Sequence, residues 1–355
     1  MGERVGPALG PAYGSGAPLP QLTEAQRTAR AAILAADDEH DYESVACLCG
    51  SSGSDRVLSE VDRHGLPARY LICEACGLVR LSPRWREERY RRFYTTEYRS
   101  LYNPSPLPKL EYARAIAAAP AARERVEWVT SVWRQRSGKG SARIVEIGAG
   151  GGWNLAGLPR DWERIGYGLD DAYLAVGREA FGLDMRRGLA LDALPELGNA
   201  DIVLLSHVVE HLADPSETLR AIGKAMRSDA LALIEVPGIF RIHRINLDPR
   251  SFLQNAHTFT FCAPTLRDAC ERAGLEVLEV DETARATCRP GVERSVSRPA
   301  THPGLAERII RYLRRCDFGF RQYRWMGSLP LVGRLLAYGW RRTWFVVAGL
   351  AARRT

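Results

Sequence analysis

The chain has 355 residues, 46% hydrophobic and 26% charged, with a formal net charge of +7. That length fits about two domains of roughly 150 residues, and the apolar content is enough to bury a core, which excludes a wholly disordered chain. No apolar run reaches the roughly 18 residues of a membrane span, and no basic-then-apolar leader stands at the N-terminus, so a folded, soluble, cytoplasmic protein is expected.

Residues 1–43 open with a Gly- and Pro-rich stretch, expected to be disordered, and continue over 22–38 with the Ala, Leu and charge pattern of a short helix. Residues 44–105 hold four of the eight cysteines as two close pairs, Cys47-Leu-Cys49 and Cys73-Glu-Ala-Cys76. They are separated by 23 residues and followed directly by Gly50 and Gly77. Two short knuckles flanking a hairpin-sized insert are how a four-thiolate zinc ribbon is built, the glycines turning backbone N–H groups toward the sulfurs. The first knuckle is C-x-C where C-x-x-C is usual, so it must close a tighter loop, and His64 is a substitute ligand; buried free thiols are the competing reading. Such cysteine usage fits a reducing compartment better than a disulfide framework. Residues 83–135 read as helices with Arg-rich faces and an Ala-rich stretch, Ala113 to Ala122.

Residues 144–154, Ile-Val-Glu-Ile-Gly-Ala-Gly-Gly-Gly-Trp-Asn, form an apolar strand that contains Glu146 and runs into Gly148, Gly150 and Gly152. Alternate glycines permit positive φ and remove each Cβ that would block a ligand, and the next helix offers unpaired N–H donors. A dinucleotide fingerprint would read G-x-G-x-x-G and serve a pyrophosphate. Here the pattern is E-x-G-x-G-x-G, and a carboxylate in that place repels phosphate and favours a cationic ligand.

At these residues the chain resembles the class I S-adenosylmethionine-dependent methyltransferases, whose cofactor carries an amino group, a sulfonium and no phosphate. Arg164-Ile-Gly-Tyr-Gly-Leu-Asp170-Asp171 ends in acid about 20 residues after the turn, where a strand-end carboxylate takes ribose hydroxyls, and Asp170 is expected to do so. Asp201 to Pro215, with His207-Val-Val-Glu210-His211, is similar to the family's fourth strand and following turn, and Leu231 to Pro237 to its fifth strand. The resemblance covers roughly residues 141–282, within a domain placed at 106–282. It implies an α/β fold, a Rossmann-like, mostly parallel seven-stranded sheet with helices on both faces. It implies Glu146, Gly148, Gly150, Gly152, Asp170, Leu189 and His207 as cofactor-binding residues. Many relatives place an acid after the glycine that follows strand three; here Gly188 is followed by Leu189, so adenine is expected to rest on backbone and apolar contact, with Asp192 a substitute. Cys73 to Arg99 resembles the zinc-binding domain found ahead of methyltransferase domains in sugar- and glycan-modifying enzymes. That implies a small N-terminal zinc-ribbon-like module with structural Zn2+.

Methyl transfer from a sulfonium needs the acceptor held in line and water kept out, and positioning of that kind is worth about 7–11 kcal/mol. A hydroxyl or acidic C–H acceptor also needs a base, for which a neutral imidazole suits pH 7. His207 and His211 flank Glu210 after strand four, and His257 lies in the segment after strand five; these are the catalytic candidates, with capping or structural roles as the alternative. Cys262 and Cys270 read as packing residues.

Residues 283–304 read as a linker from their Pro and Gly content. Residues 305–355 are expected to form a helical tail. From residue 301 onward there are 11 Arg, no Lys, and only Glu307 and Asp317 as acids, a net of +9, so the first 300 residues carry −2. Trp325, Trp340, Trp344, Phe345 and the Leu329–Leu336 run are interleaved with those arginines, as in helices that lie on an anionic membrane face or pack on a partner. A base-reading enzyme would carry a basic channel at its pocket, and the catalytic domain has no basic excess, which argues against nucleic acid. The leading expectation is a methyltransferase acting on a small molecule or glycan precursor: a sugar, nucleotide-sugar or lipid-linked saccharide. A zinc-ribbon ribosomal RNA methyltransferase and a catalytically idle cofactor-binding scaffold are the alternatives.

Overall fold

A computed structural model describes residues 6–15, 22–51, 54–102, 110–245, 248–291 and 299–327. The chain divides into two compact units, one of residues 105–236 and 266–297, the other of residues 1–104, 237–265 and 298–355.

The first unit is built on strands β1 (Arg143–Ile147), β2 (Glu163–Gly168), β3 (Asp184–Arg187), β4 (Ile202–Ser206), β5 (Leu231–Glu235), β6 (Leu275–Val280) and β7 (Arg285–Pro290). They lie in the order β6-β7-β5-β4-β1-β2-β3, parallel throughout except for β7, which is antiparallel to both neighbours. β4 and β5 are buried along their whole length, the condition under which continuous Ile, Val and Leu runs favour a parallel sheet covered on both faces. Val129 and Trp133 of the helix Pro120–Ser137 pack with Ile144, Leu204 and Leu233 in one core. That helix opens on Pro and closes on left-handed Gly138. The helix Asp171–Phe181 starts on the side chain of Asp170 and stops at left-handed Gly182, cap chemistry that fixes where the chain turns back to the next strand.

β7 corrects the expected linker at 283–304. Arg285–Pro290 pairs with β5 and β6, with Ala286, Thr287 and Cys288 buried. Its proline is the last strand residue, where the missing N–H removes no interior ladder bond.

In the second unit, Phe259–Thr260, Val79–Leu81, Pro67–Cys73 and Asp55–Val61 form an antiparallel sheet in that order. Residues 237–265, expected within the domain at 106–282, therefore fold with the cysteine segment. Ile239, Phe240, Phe252 and Cys262 share a core with Leu58, Tyr70, Ile72 and Leu81.

The helix Leu305–Gly327 belongs to that core too, burying Leu305, Ile309, Ile310, Tyr312, Leu313 and Cys316. Tyr312 Oη donates to the Phe240 carbonyl at 2.9 Å. The apolar face of the helix over Leu305–Cys316 is thus packed in protein. Leu329–Leu336, Trp340, Trp344 and Phe345 lie outside the described residues. Among those described, no helix is long and apolar enough to cross a membrane.

Core placement predicts that Leu313→Ala costs about 2–5 kcal/mol, read by urea denaturation. A helix lying free of the core would lose no more than about 0.5 kcal/mol.

Candidate cofactor and metal sites

In the sheet of the first unit, chain order reverses between β1 and β4, so the crevice for a ligand opens at their carboxyl ends. The glycine turn occupies it. Gly148, Gly150 and Gly152 have φ of +72°, +54° and +75°, the left-handed region that side chains resist. A Cβ on Gly148 would meet Val208 Cγ2 at 2.5 Å, and one on Gly152 would meet Leu183 Cδ1 at 2.5 Å. These two glycines are thus required by the protein's own packing. Gly150 clears its neighbours at 3.4 Å and is required by its backbone.

Glu146 is buried one residue before the end of β1. Its Oε1 accepts from Asn154 Nδ2 at 2.6 Å, while Oε2 is buried without a hydrogen-bond partner among the described residues. Asn154 Oδ1 accepts in turn from Arg125 Nη1 at 2.8 Å. Arg125 also pairs with Glu235 at the end of β5, where Arg285 reaches the other carboxylate oxygen at 3.0 Å and Ser206 Oγ donates at 3.2 Å. Burial raises the Glu146 carboxyl to about 7, against the opposing pull of Asn154 and Arg125. At Glu235 burial acts in the same sense, but Arg125, with His207 and Arg285, overrides it and holds that carboxyl at about 2. Asn154 and Glu235 sit inside motifs legible in the sequence. Arg125 and Arg285 carried no signal, one lying on an Arg-rich helix and the other in an apparent linker.

A buried carboxylate oxygen lacking a donor, beside a glycine turn, fits the ammonium of S-adenosylmethionine. The remaining expected contacts fall on the same edge. Asp170 follows β2, with Oδ1 accepting from the N–H groups of Ala172 and Tyr173 at 3.0 and 3.3 Å. Gly188 N–H bonds the Gly168 carbonyl at 3.0 Å, so Leu169 and Leu189 leave neighbouring strand ends together. Both, with Leu191, are exposed. They offer the apolar contact expected for adenine. Asp192 accepts from Leu189 N–H at 2.7 Å and serves the loop itself.

His207 and His211 approach the same buried carboxylate: His207 Nδ1 lies 3.4 Å and His211 Nε2 3.9 Å from Glu210 Oε1. His207 has a φ of +56°, rare for a side-chain-bearing residue, and its ring is about half exposed at 47%. Strain of that kind is retained where the surroundings impose it. Here the His207 N–H is tied to the Glu235 carbonyl at 2.8 Å. Asp214 caps the helix Pro215–Ala225 through Glu217 N–H. His257 belongs to the second unit, where it is buried and its N–H closes a turn on the Gln254 carbonyl at 2.7 Å.

Also in the second unit, Cys47, Cys49, Cys73 and Cys76 are all buried and their sulfurs lie within 4.8 Å of one another. Cys47 and Cys76 are 3.5 Å apart and Cys49 and Cys73 3.9 Å; a tetrahedron with Zn–S of about 2.3 Å has edges of about 3.8 Å. Gly50 and Gly77 adopt φ of +77° and +78°. They let Ser51 N–H and Leu78 N–H point at Cys49 and Cys76 sulfur at 3.3 and 3.4 Å. The C-x-C knuckle therefore closes as well as the C-x-x-C one. His64 lies elsewhere, in the hairpin turn, where Asp62 Oδ1 accepts its N–H at 2.8 Å.

The raised Glu146 carboxyl sets a pH dependence. Between the ordinary carboxylate range and about 7 the folded state holds a proton the unfolded chain has released, so the ligand-free protein loses stability as pH rises through that window. A cationic ligand selects the ionised form, so affinity for S-adenosylmethionine should rise with pH up to about 7 and fall again as the ligand's own amino group loses its proton, at about pH 8. Calorimetry in buffers of different ionisation enthalpy should find net proton release at pH 6 that declines as pH rises. Glu146→Gln should abolish that release. Gly148→Ala, which drives Cβ into Val208, should lower affinity at least about tenfold.

Residues 109–280 match the family model described as a methyltransferase domain. A ubiquinone biosynthesis O-methyltransferase from Pseudomonas aeruginosa is 27% identical over 179 residues, covering 44% of this chain and 72% of that one. Among solved structures, the sugar N-methyltransferase KedS8 from a Streptoalloteichus species is 15% identical, with 53% of this chain and 95% of that one covered at a TM-score of 0.40. A Haloferax volcanii complex of the Trm112 methyltransferase activator with a methyltransferase is 20% identical, with 48% and 80% covered at a TM-score of 0.38. Family match, strand order and glycine turn agree: the chain is an S-adenosylmethionine-dependent methyltransferase, with its methyltransferase domain at residues 109–280.

Proposed function

We propose that the acceptor is a small molecule or glycan precursor, a sugar, nucleotide-sugar or lipid-linked saccharide. The observation that carries this reading is the charge of the catalytic unit. Residues 105–236 and 266–297 contain 21 basic and 25 acidic side chains, a net of −4. That unit has no basic excess of the kind that neutralises the phosphates of RNA. The ubiquinone biosynthesis O-methyltransferase relative is consistent with it.

S-adenosylmethionine supplies an already activated methyl group. Glu146 and the glycine turn would hold its amino acid end, Asp170 its ribose, and Leu189 its adenine. The protein's own task is then to align the acceptor and remove a proton. In the catalytic unit His207 fits the second role: Glu210, 3.4 Å from Nδ1, favours the tautomer with its proton on that nitrogen and leaves Nε2 basic. His211 shares Glu210 and is a partner of the pair. His257, in the second unit, is the remaining histidine candidate for the base.

The four cysteines are proposed to hold one structural zinc. The purified protein should carry about one zinc per chain by elemental analysis, with binding that contributes on the order of 10 kcal/mol to folding of its unit. Cys49→Ser should lose the metal, and zinc-free protein from metal-replete expression would overturn the site.

Incubation with methyl-labelled S-adenosylmethionine and fractionated cell extract should place label in saccharide or lipid-linked saccharide. Label in RNA, on binding that weakens steeply with salt, would favour the ribosomal RNA reading. Cofactor binding with no label in any fraction would favour the idle scaffold.

A further inference from the structure

Asn154 is the second residue of the short helix Trp153–Ala156 that leaves the glycine turn, and its buried side chain lies between two groups of opposite demand. On one side stands Arg125, whose guanidinium donates and cannot accept; on the other stands Glu146, which only accepts when ionised. The amide therefore has one satisfactory sense. Its Oδ1 accepts from Arg125 Nη1 at 2.8 Å, and its Nδ2 donates to Glu146 Oε1 at 2.6 Å. Turned over, it would set oxygen against carboxylate and N–H against guanidinium.

Arg125 can impose that sense because it is itself held. Its Nε donates to Glu235 Oε2 while Nη1 serves Asn154, and two bonds from one planar fork fix the plane of the guanidinium. Glu235 is anchored in turn, Oε1 by Arg285 at 3.0 Å and Oε2 by Ser206 Oγ at 3.2 Å. The Arg285 guanidinium lies over the Trp128 ring, 5.3 Å from its centroid, and Trp128 belongs to the same helix, Pro120–Ser137, as Arg125. The chain of contacts thus closes on the helix where it began. Backbone packing holds that helix near the turn: a Cβ on Gly157, directly after Trp153–Ala156, would meet Val126 Cγ2 at 2.7 Å. Only glycine lets the neighbour of Arg125 come so close.

What reaches Glu146 through these contacts is one donor on one oxygen. Oε1 is taken by the amide, and Oε2 is buried with no hydrogen-bond partner among the described residues. The carboxylate is therefore held with a single open acceptor. A donor from a ligand that reaches it meets a group already oriented and already desolvated, the condition under which a charged hydrogen bond counts most.

We propose that Asn154, with its amide sense set by Arg125, is a positioning residue for Glu146 and makes the turn selective for ligands that carry the ammonium of the cofactor's amino acid end. This rests on the reading of Glu146 as the partner of that ammonium. The adenosine end of the ligand should sense neither residue.

The test is calorimetry on the full chain with three probes. S-adenosylmethionine has the amino acid end and the sulfonium, S-adenosylhomocysteine keeps the first without the second, and 5′-methylthioadenosine has neither. Asn154→Leu roughly preserves the side-chain shape and leaves the Arg125–Glu235 pair in place. It should weaken the first two probes at least about tenfold, the effect of a buried carboxylate losing its donor, and leave the third within about twofold. Arg125→Lys keeps a positive charge beside Glu235 and gives up the fork, and it should weaken the same two probes about threefold or more with the third again unchanged. Added to Asn154→Leu, Arg125→Lys should cost no more than about a further twofold, because it acts through the amide. Equal losses for all three probes would show a turn displaced as a whole and would overturn the proposal. Unchanged affinity for S-adenosylmethionine in Asn154→Leu, or losses that multiply in the combined variant, would overturn it as well. Glu146→Gln separates the two levels of the argument: full affinity for S-adenosylmethionine in that variant would overturn the reading of Glu146 itself. A weakened Glu146→Gln beside an unaffected Asn154→Leu would leave that reading standing and remove the positioning role.

Discussion

Glu146 and Glu235 are two of the carboxylates buried at the carboxyl edge of the large sheet, and the way each is compensated shapes the surroundings of the glycine turn. An ionised carboxylate removed from water must find positive charge and donors or give up its charge. Glu235 takes the first course with Arg125, Arg285 and Ser206. Glu146 receives only the amide of Asn154, so one oxygen stays buried without a donor. Because Arg125 serves Glu235 directly and Glu146 through Asn154, the ends of β1 and β5 are tied across β4. The helix Pro120–Ser137 is thereby fixed over the turn. The difference between the two acids is one of compensation: Glu235 is satisfied by the protein, and Glu146 keeps one buried oxygen without a donor among the described residues.

The glycines can be read against this network. Gly148 and Gly152 leave no room for a Cβ next to Val208 and Leu183, and Gly150 is constrained by its backbone alone. The first and third glycines make the turn fit the sheet, while the middle one lies in ordinary contact with the Trp153 indole and is set by its positive φ. The strained φ of His207 belongs to the same edge. Its N–H bonds the carbonyl of Glu235, so the residue whose side chain anchors the network also uses its backbone to hold His207 out of ordinary geometry beside Glu210.

Much of the catalytic unit was legible in the sequence because its signals are local. A buried parallel strand is a continuous apolar run, a cofactor turn is a glycine pattern, and both are complete within a dozen residues. The cysteine cluster was legible for the same reason, each knuckle carrying its own glycine. Contacts between distant segments were not. Arg125 and Arg285 look like any other surface arginine until the sheet brings Glu235 between them. Arg285–Pro290 resembles a linker because its proline and the glycine after it mark a strand's end as well as they mark a loop. Nothing in Pro237–Thr265 says that Phe259–Thr260 will pair with Val79–Leu81 and not with the strands that precede it in the chain.

The basic tail shows how composition misleads when periodicity is ignored. Arginines interleaved with aromatic and aliphatic residues describe a membrane-surface helix and a packed core helix equally well, because both need one apolar and one solvated face. What separates them is whether the apolar face already has a protein partner. Over Leu305–Cys316 it does, in the core that also buries Tyr70, Phe240 and Phe252. Specific polar contacts accompany it: Arg314 Nε donates to the Ala8 carbonyl at 2.8 Å and Asp317 accepts from Tyr13 Oη at 2.8 Å. A helix that bonds residues some three hundred positions away on both its polar and apolar sides is a structural member of its unit. The arginines along it are the solvated face such a member requires.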